Sequence, residues 1–167
     1  MKVRIEWMEG YMADAERLIT DNRVDEGLTI LQNLLYDEPG YGSLHNHLGW
    51  AYMYHTPDSE KAELHFTMAM RFDASYAPPY LHLGNLYNRT GRYTAAIEQF
   101  TRGLSAVGAN RVALYEGLAL AHEMRKEFRA AIKSYKEAIA GSAGMEFNHL
   151  REGIKRCRSK RWVMLFD

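Results

Sequence analysis

Apolar side chains recur along this chain at helical intervals, and the whole pattern restarts at a near-constant spacing. A small residue opens each unit at Ala15, Gly49, Gly84 and Ala119, with Leu18, Tyr52, Tyr87 and His122 three positions later. Each unit then places a small residue four positions before a large apolar one: Gly27 and Leu31, Ala62 and Phe66, Ala96 and Phe100, Ala131 and Tyr135. The intervals between opening residues are 34, 35 and 35, and those between the large residues 35, 34 and 35. Two antiparallel helices of about 14 residues and two short turns fill such a period, which predicts an all-α solenoid of about four helix-turn-helix repeats. Turns inside the pairs are predicted at Asp21-Asn22-Arg23, Thr56-Pro57-Asp58, Thr90-Gly91-Arg92 and Arg125-Lys126-Glu127. The first three contain residues that favour turns and the fourth does not. Pro78 and Pro79 are expected to open a helix, where a missing N–H is harmless.

These positions resemble the tetratricopeptide repeat, whose consensus runs W-x2-L-G-x2-Y, then A-x3-F, then Pro. The third unit matches best, with Tyr80, Leu83, Gly84, Tyr87, Ala96, Phe100 and Gly103. The second has His45, Leu48, Gly49, Tyr52, Ala62, Phe66 and Ala69, and the fourth Tyr115, Leu118, Ala119, His122, Ala131, Tyr135 and Ala138. The first is degenerate, with Tyr11, Asp14, Ala15, Leu18, Gly27 and Leu31, yet it alone keeps the closing proline, Pro39. Ala74, Gly108 and Ala143 stand at the equivalent places. The resemblance covers roughly residues 8–144 and implies a non-catalytic scaffold for protein partners.

Beyond the fourth unit the pattern changes. Phe147, Leu150, Ile154 and Cys157 form one apolar stripe, with Arg151, Lys155 and Arg158 beside it. Gly153 sits 34 residues after Ala119, but His149, Glu152 and Arg156 hold places where a fifth repeat needs apolar residues. Residues 1–144 are therefore read as the repeats, and residues 145–167 as a basic amphipathic capping helix with an apolar tail, all in one domain. The tail, Trp162-Val163-Met164-Leu165-Phe166-Asp167, is too apolar to be expected in water. It either folds over the cap or enters a groove.

Composition fits one soluble solenoid: 167 residues, 47% hydrophobic and formally neutral. The apolar runs are far shorter than the roughly 18 residues of a membrane span. The segment Met1-Lys2-Val3-Arg4-Ile5-Glu6 lacks the apolar core of a secretory signal, so a cytoplasmic address is expected. Cys157, the single cysteine, agrees with a reducing compartment. Charge is uneven: residues 1–41 hold nine acidic and four basic side chains, residues 146–167 three acidic and six basic. That asymmetry reads either as a solvated cap or as a basic end for an acidic partner or the acidic end of a second copy. Nucleic-acid binding by the basic cap is a weaker expectation.

Catalytic constellations are weak. His45 and His47 lie two residues apart, which on a helix turns them about 200° from each other. His47 and His82 hold equivalent places in adjacent units and are a weak candidate pair for a metal ion. Glu60, Glu63 and His65 form a loose cluster, and Cys157 sits on the apolar stripe without an evident base. No glycine-rich phosphate loop is present. We expect no enzyme, no metal and no cofactor.

A second face of each first helix recurs at i, i+4, i+7 and i+8. It reads Met12, Glu16, Ile19, Thr20; Asn46, Trp50, Met53, Tyr54; Leu81, Asn85, Asn88, Arg89; and Glu116, Leu120, Glu123, Met124. In tetratricopeptide proteins the first helices line a concave surface that receives a peptide. That resemblance makes Asn46, Trp50, Met53, Tyr54, Leu81, Asn85, Asn88, Arg89 and Leu120 the candidate partner-binding residues. Aromatic anchors beside amide and guanidinium groups suit an extended peptide. The chaperone-tail subclass begins its carboxylate clamp where this chain has Met12 and Glu16, so that specificity does not carry over. The alternative function is head-to-tail self-association through the acidic and basic ends.

Overall fold

The structure, a computed structural model, describes residues 2–142 and 147–164, with side chains from residue 5 onward. Among the described residues there are nine helices and no β-strand: α1 (Lys2–Thr20), α2 (Val24–Asp37), α3 (Gly42–His55), α4 (Ser59–Phe72), α5 (Pro78–Arg89), α6 (Tyr93–Gly103), α7 (Arg111–Met124), α8 (Phe128–Gly141) and α9 (Asn148–Val163). The chain is an all-α, helix-pair repeat fold. All four turns inside the pairs fall at the residues expected, and α5 opens at Pro78. Helix α1 starts well before the first repeat signature, because no proline interrupts residues 2–10 and most of them are good helix formers. Ala143, Glu146 and the tail residues Leu165, Phe166 and Asp167 lie outside the described residues.

Contacts divide the chain into two compact units, Met1–His82 and Leu83–Asp167, with the boundary inside α5. In the first, α1 packs on α2 and α3, α2 on α3, and α3 on α4. Its core is Ala15, Ile19, Leu31, Leu44, Leu48, Ala51, Ala62, Phe66 and Ala69, each at most 1% exposed. Gly49 lies against Phe66: a Cβ there would stand 2.6 Å from the ring. The His82 imidazole stacks on the same ring, with centroids 5.4 Å apart.

In the second unit α6 packs on α7, α7 on α8, and α8 on α9. Phe100 is fully buried between two glycines: a Cβ at Gly84 would lie 2.4 Å from its ring, and one at Gly117 2.3 Å. Tyr135 meets Gly153 of α9 in the same way, at 2.6 Å. The cap then buries Leu150, Ile154 and Cys157 against Ala131, Tyr135 and Ala138, with Phe147 packed at the edge. That is the stripe expected from the sequence. Burial pushes the Cys157 thiol up to about 11, which makes it an apolar packing group and a poor nucleophile.

The fourth turn shares its backbone with the first and third and differs in the residue used. Asn22 and Gly91 take left-handed conformations at φ +65° and +75°, as their side chains allow. Lys126, at the equivalent place, takes φ +62° without that advantage.

The Phe100 site yields a direct test. Alanine normally stabilises a helix interior by about 1 kcal/mol over glycine. At Gly117 the opposite is expected, because the ring cannot retreat from a new Cβ without striking Gly84. Gly117→Ala should lower the unfolding free energy by about 1–3 kcal/mol, measured by urea denaturation. A gain in stability would show that Phe100 is loosely held.

Candidate partner-binding faces

The four recurring positions on the first helices divide by burial. Positions equivalent to Met12 and Ile19 turn inward in the first unit: Met12, Ile19, Asn46 and Met53 are all buried. Positions equivalent to Glu16 and Thr20 turn outward. Glu16 and Thr20 are exposed, Trp50 is half-buried and Tyr54 is 47% exposed. The second unit repeats the outward positions, with Asn85 half-buried, Arg89 exposed, Leu120 43% exposed and Met124 58% exposed. Leu81 and Asn88 are half-buried.

Each surface aromatic of α3 has a fixed neighbour. The Trp50 ring lies 4.8 Å from that of His55, and Tyr54 meets the edge of His82 at 6.3 Å. His47 donates Nδ1–H to the Ser43 carbonyl at 2.9 Å, which leaves Nε2 facing Glu16 at 3.9 Å. In the second unit Asn88 donates its Nδ2 to the Gly117 carbonyl at 3.1 Å. Asn46 Oδ1 and Asn88 Oδ1 are buried without a hydrogen-bond partner. The structure thus pairs Trp50 with His55 and Tyr54 with His82 in one unit, and turns Asn88 towards α7 in the other. Asn46 and Met53 pack inside.

Sequence reading missed two polar clusters. In the first unit His45 Nε2 lies 3.0 Å from the Pro39 carbonyl and its Nδ1 lies 3.0 Å from His65 Nδ1. The carbonyl can only accept, so neutral His45 carries its proton on Nε2 and accepts from His65 Nδ1–H. Burial, and to a smaller extent His45 and Lys61, lower His65 to about 4. Burial and then His47 lower His82 to about 4 as well. A helical pattern alone does not reveal that residues twenty apart meet ring to ring.

In the second unit Glu123, only 5% exposed in its side chain, receives both Arg156 Nε and Nη2 at 2.6 and 2.7 Å and Lys160 Nζ at 2.9 Å. Tyr135 donates its hydroxyl to the same carboxylate at 3.2 Å. The Arg156 hydrogen bonds hold Glu123 at about 2 despite burial. Arg156 is one of the polar residues that argued against a fifth repeat, and this clamp is its role. Three of the six basic residues in 146–167 are thus ion-paired within the unit, Arg156 and Lys160 with Glu123 and Lys155 with Glu152. Helix α9 also continues through Val163, so Trp162 and Val163 belong to the helix and not to an extended tail. Nothing in the sequence breaks the helix there, and Lys160 and Arg161 favour its C-terminal turn. Among the described residues no group of three His, Cys, Asp or Glu side chains is placed to hold a metal ion, and no helix is long and apolar enough to cross a membrane.

The two clusters respond to acid in different ranges. A histidine lowered from 6.5 to about 4 contributes stability that is whole above pH 6.5 and declines as pH falls towards 4. Glu123, lowered from 4.5 to about 2, contributes stability that is whole above 4.5 and lost as pH falls through 2. In an NMR titration, amides of α3 and α4 should lose dispersion first and those of α9 at lower pH. Glu123→Ala should remove the second step alone. The opposite order would contradict the assignment.

Residues 77–106 match the family model described as tetratricopeptide repeat. No curated protein matches the chain in a sequence search. Solved structures do. The chain is similar to a MamA protein, with a TM-score of 0.80, 20% identity, and coverage of 93% of this chain and 83% of that one. It is similar to PilF of Pseudomonas aeruginosa, with a TM-score of 0.83, 14% identity, and coverage of 97% and 72%. It is also similar to part of the APC/C hetero-tetramer Cut9–Hcn1, with a TM-score of 0.76, 21% identity, and coverage of 90% of this chain but 29% of that one. At these identities the likeness to each is one of fold. Four repeat signatures in phase, their turns at the expected residues, the family match over residues 77–106 and these neighbours lead to one conclusion: the chain has a tetratricopeptide-like helix-pair repeat fold.

Proposed function

We propose that this chain is a non-catalytic adaptor that binds an extended peptide of a partner protein on the outward faces of its first helices. Tetratricopeptide folds are in general protein–protein interaction scaffolds. The observation that carries the finer reading is that equivalent positions stay at the surface in successive repeats. Trp50, Asn85 and Leu120 occupy one such series, and Tyr54, Arg89 and Met124 the next. Large apolar groups held at the surface by fixed neighbours serve as anchors, because little side-chain freedom remains to be lost on binding. Amide groups between them match the unpaired backbone of an extended strand. Leu81 in the first unit and Asn88 in the second are half-buried, and Asn46 and Met53 pack inside the first. The cytoplasm is the proposed setting, in keeping with a lone cysteine that is buried and reduced.

Self-association through charged ends is less well supported, since Arg156 and Lys160 both pair with Glu123 within the second unit. The test is selection of peptides from a random display library against the full chain. Trp50→Ala and Tyr54→Ala should each weaken a selected peptide by roughly thirtyfold, the effect of losing a central aromatic anchor, with helical circular dichroism unchanged. Unaltered affinity in both folded variants would move the site off the α3 face.

A further inference from the structure

At the far end of the second unit, apolar side chains are left uncovered. Where the last turn of α9 meets the α7–α8 turn, two adjoining depressions of about 490 and 520 Å³ open. Lys126, Phe128 and Met164 line both, and Met124 and Val163 extend the second. Met124, Val163 and Met164 are each more than half exposed, at 58%, 58% and 53%. The terminal face of a solenoid is ordinarily polar. This one is not.

The charge around these depressions has one sign. Both carboxylates in the lining are already engaged: Glu123 by Arg156 and Lys160, and Glu127 by His122 at 2.6 Å and Arg125 at 2.9 Å. The remaining charged groups are Lys126, Arg129 and Arg161, and none of the three has an ion pair among the described residues. An apolar floor therefore lies under three uncompensated cations.

The backbone at Lys126 is an independent observation. Two of the three corresponding turns use Asn22 and Gly91, which accept a left-handed φ readily, while the second turn has Pro57 there and no left-handed residue. Lysine accepts it less well, and stability alone would favour asparagine or glycine here. Strain that persists at the mouth of a surface depression points to a residue kept for what its side chain does.

We propose that this surface binds an acidic, apolar segment of a partner protein, seating an apolar side chain over Phe128 and Met164 and carboxylates beside Lys126, Arg129 and Arg161. A purely apolar segment would leave the cations unmatched, and three exposed cations around an apolar floor are too few to track a nucleic-acid backbone. The surface does not include Trp50 or Tyr54, so it stands apart from the peptide face proposed above.

The experiment is a display library of short peptides with two fixed apolar positions and flanking positions open to Asp, Glu, Asn, Gln and Lys. The full chain should enrich Asp and Glu, and the selected peptide should bind more weakly at high salt. Lys126→Asn and Arg161→Gln should each cost about threefold in affinity, the usual effect of one exposed charge. Lys126→Asn should at the same time raise the melting temperature by about 2–4 °C, and Trp50→Ala should leave this binding unchanged. No acidic enrichment, or unchanged affinity in Lys126→Asn, overturns the proposal. A concentration-dependent dimer that Lys126→Asn abolishes, without peptide binding, would overturn it in favour of a second copy. Tighter binding of oligothymidine at the same residues would overturn it in favour of nucleic acid.

Discussion

A large aromatic ring laid against a facing glycine sets the distance between helices in both units. Phe66 on Gly49, Phe100 between Gly84 and Gly117, and Tyr135 on Gly153 leave no room for even one more carbon. Each ring is fully or almost fully buried, so it is both the apolar filling of the repeat and its spacer. Once that distance is fixed, the helix period decides which side chains of a first helix face inward. The recurrence of exposure at Trp50, Asn85 and Leu120 follows from the same constraint as the core.

The cap obeys the rule with an ionic variation. Gly153 takes its place on Tyr135, and Leu150, Ile154 and Cys157 extend the core as an apolar stripe should. Where a further repeat would supply another apolar group, Arg156 reaches back to Glu123. Such an arrangement ties α9 to α7: the carboxylate is buried with its arginine as partner, so the pair favours one register of α9. The half-buried His65 and His82 of the first unit act differently. Their neutral forms are part of the packing, and their cost appears only when acid charges them.

Much of this was legible in the sequence because it is periodic. Helix pairs, the four turns, the opening of α5 at Pro78 and the stripe on α9 all repeat a pattern or visibly end one. The candidate face was legible only in part. It follows the same helical period, but an ideal helix gives four columns and packing buries Asn46 and Met53 in two of them. Asn46 and Met53 therefore turn inward where Trp50 and Tyr54 do not. What stayed hidden was aperiodic. The His45–His65 pair joins residues 20 apart, and the Glu123–Arg156 clamp residues 33 apart, each once in the chain.

Lys126 shows how a break in periodicity carries information. A turn that recurs with Asn22 and Gly91 states what the backbone needs at that place. A lysine there departs from the choice made in the first and third turns, although the same backbone hydrogen bonds close all three. The same residue stands over uncovered apolar groups and beside two other cations. Local stability and local chemistry thus point in opposite directions at one position. Where they do, the side chain is the better guide to function, because the backbone alone would have chosen differently.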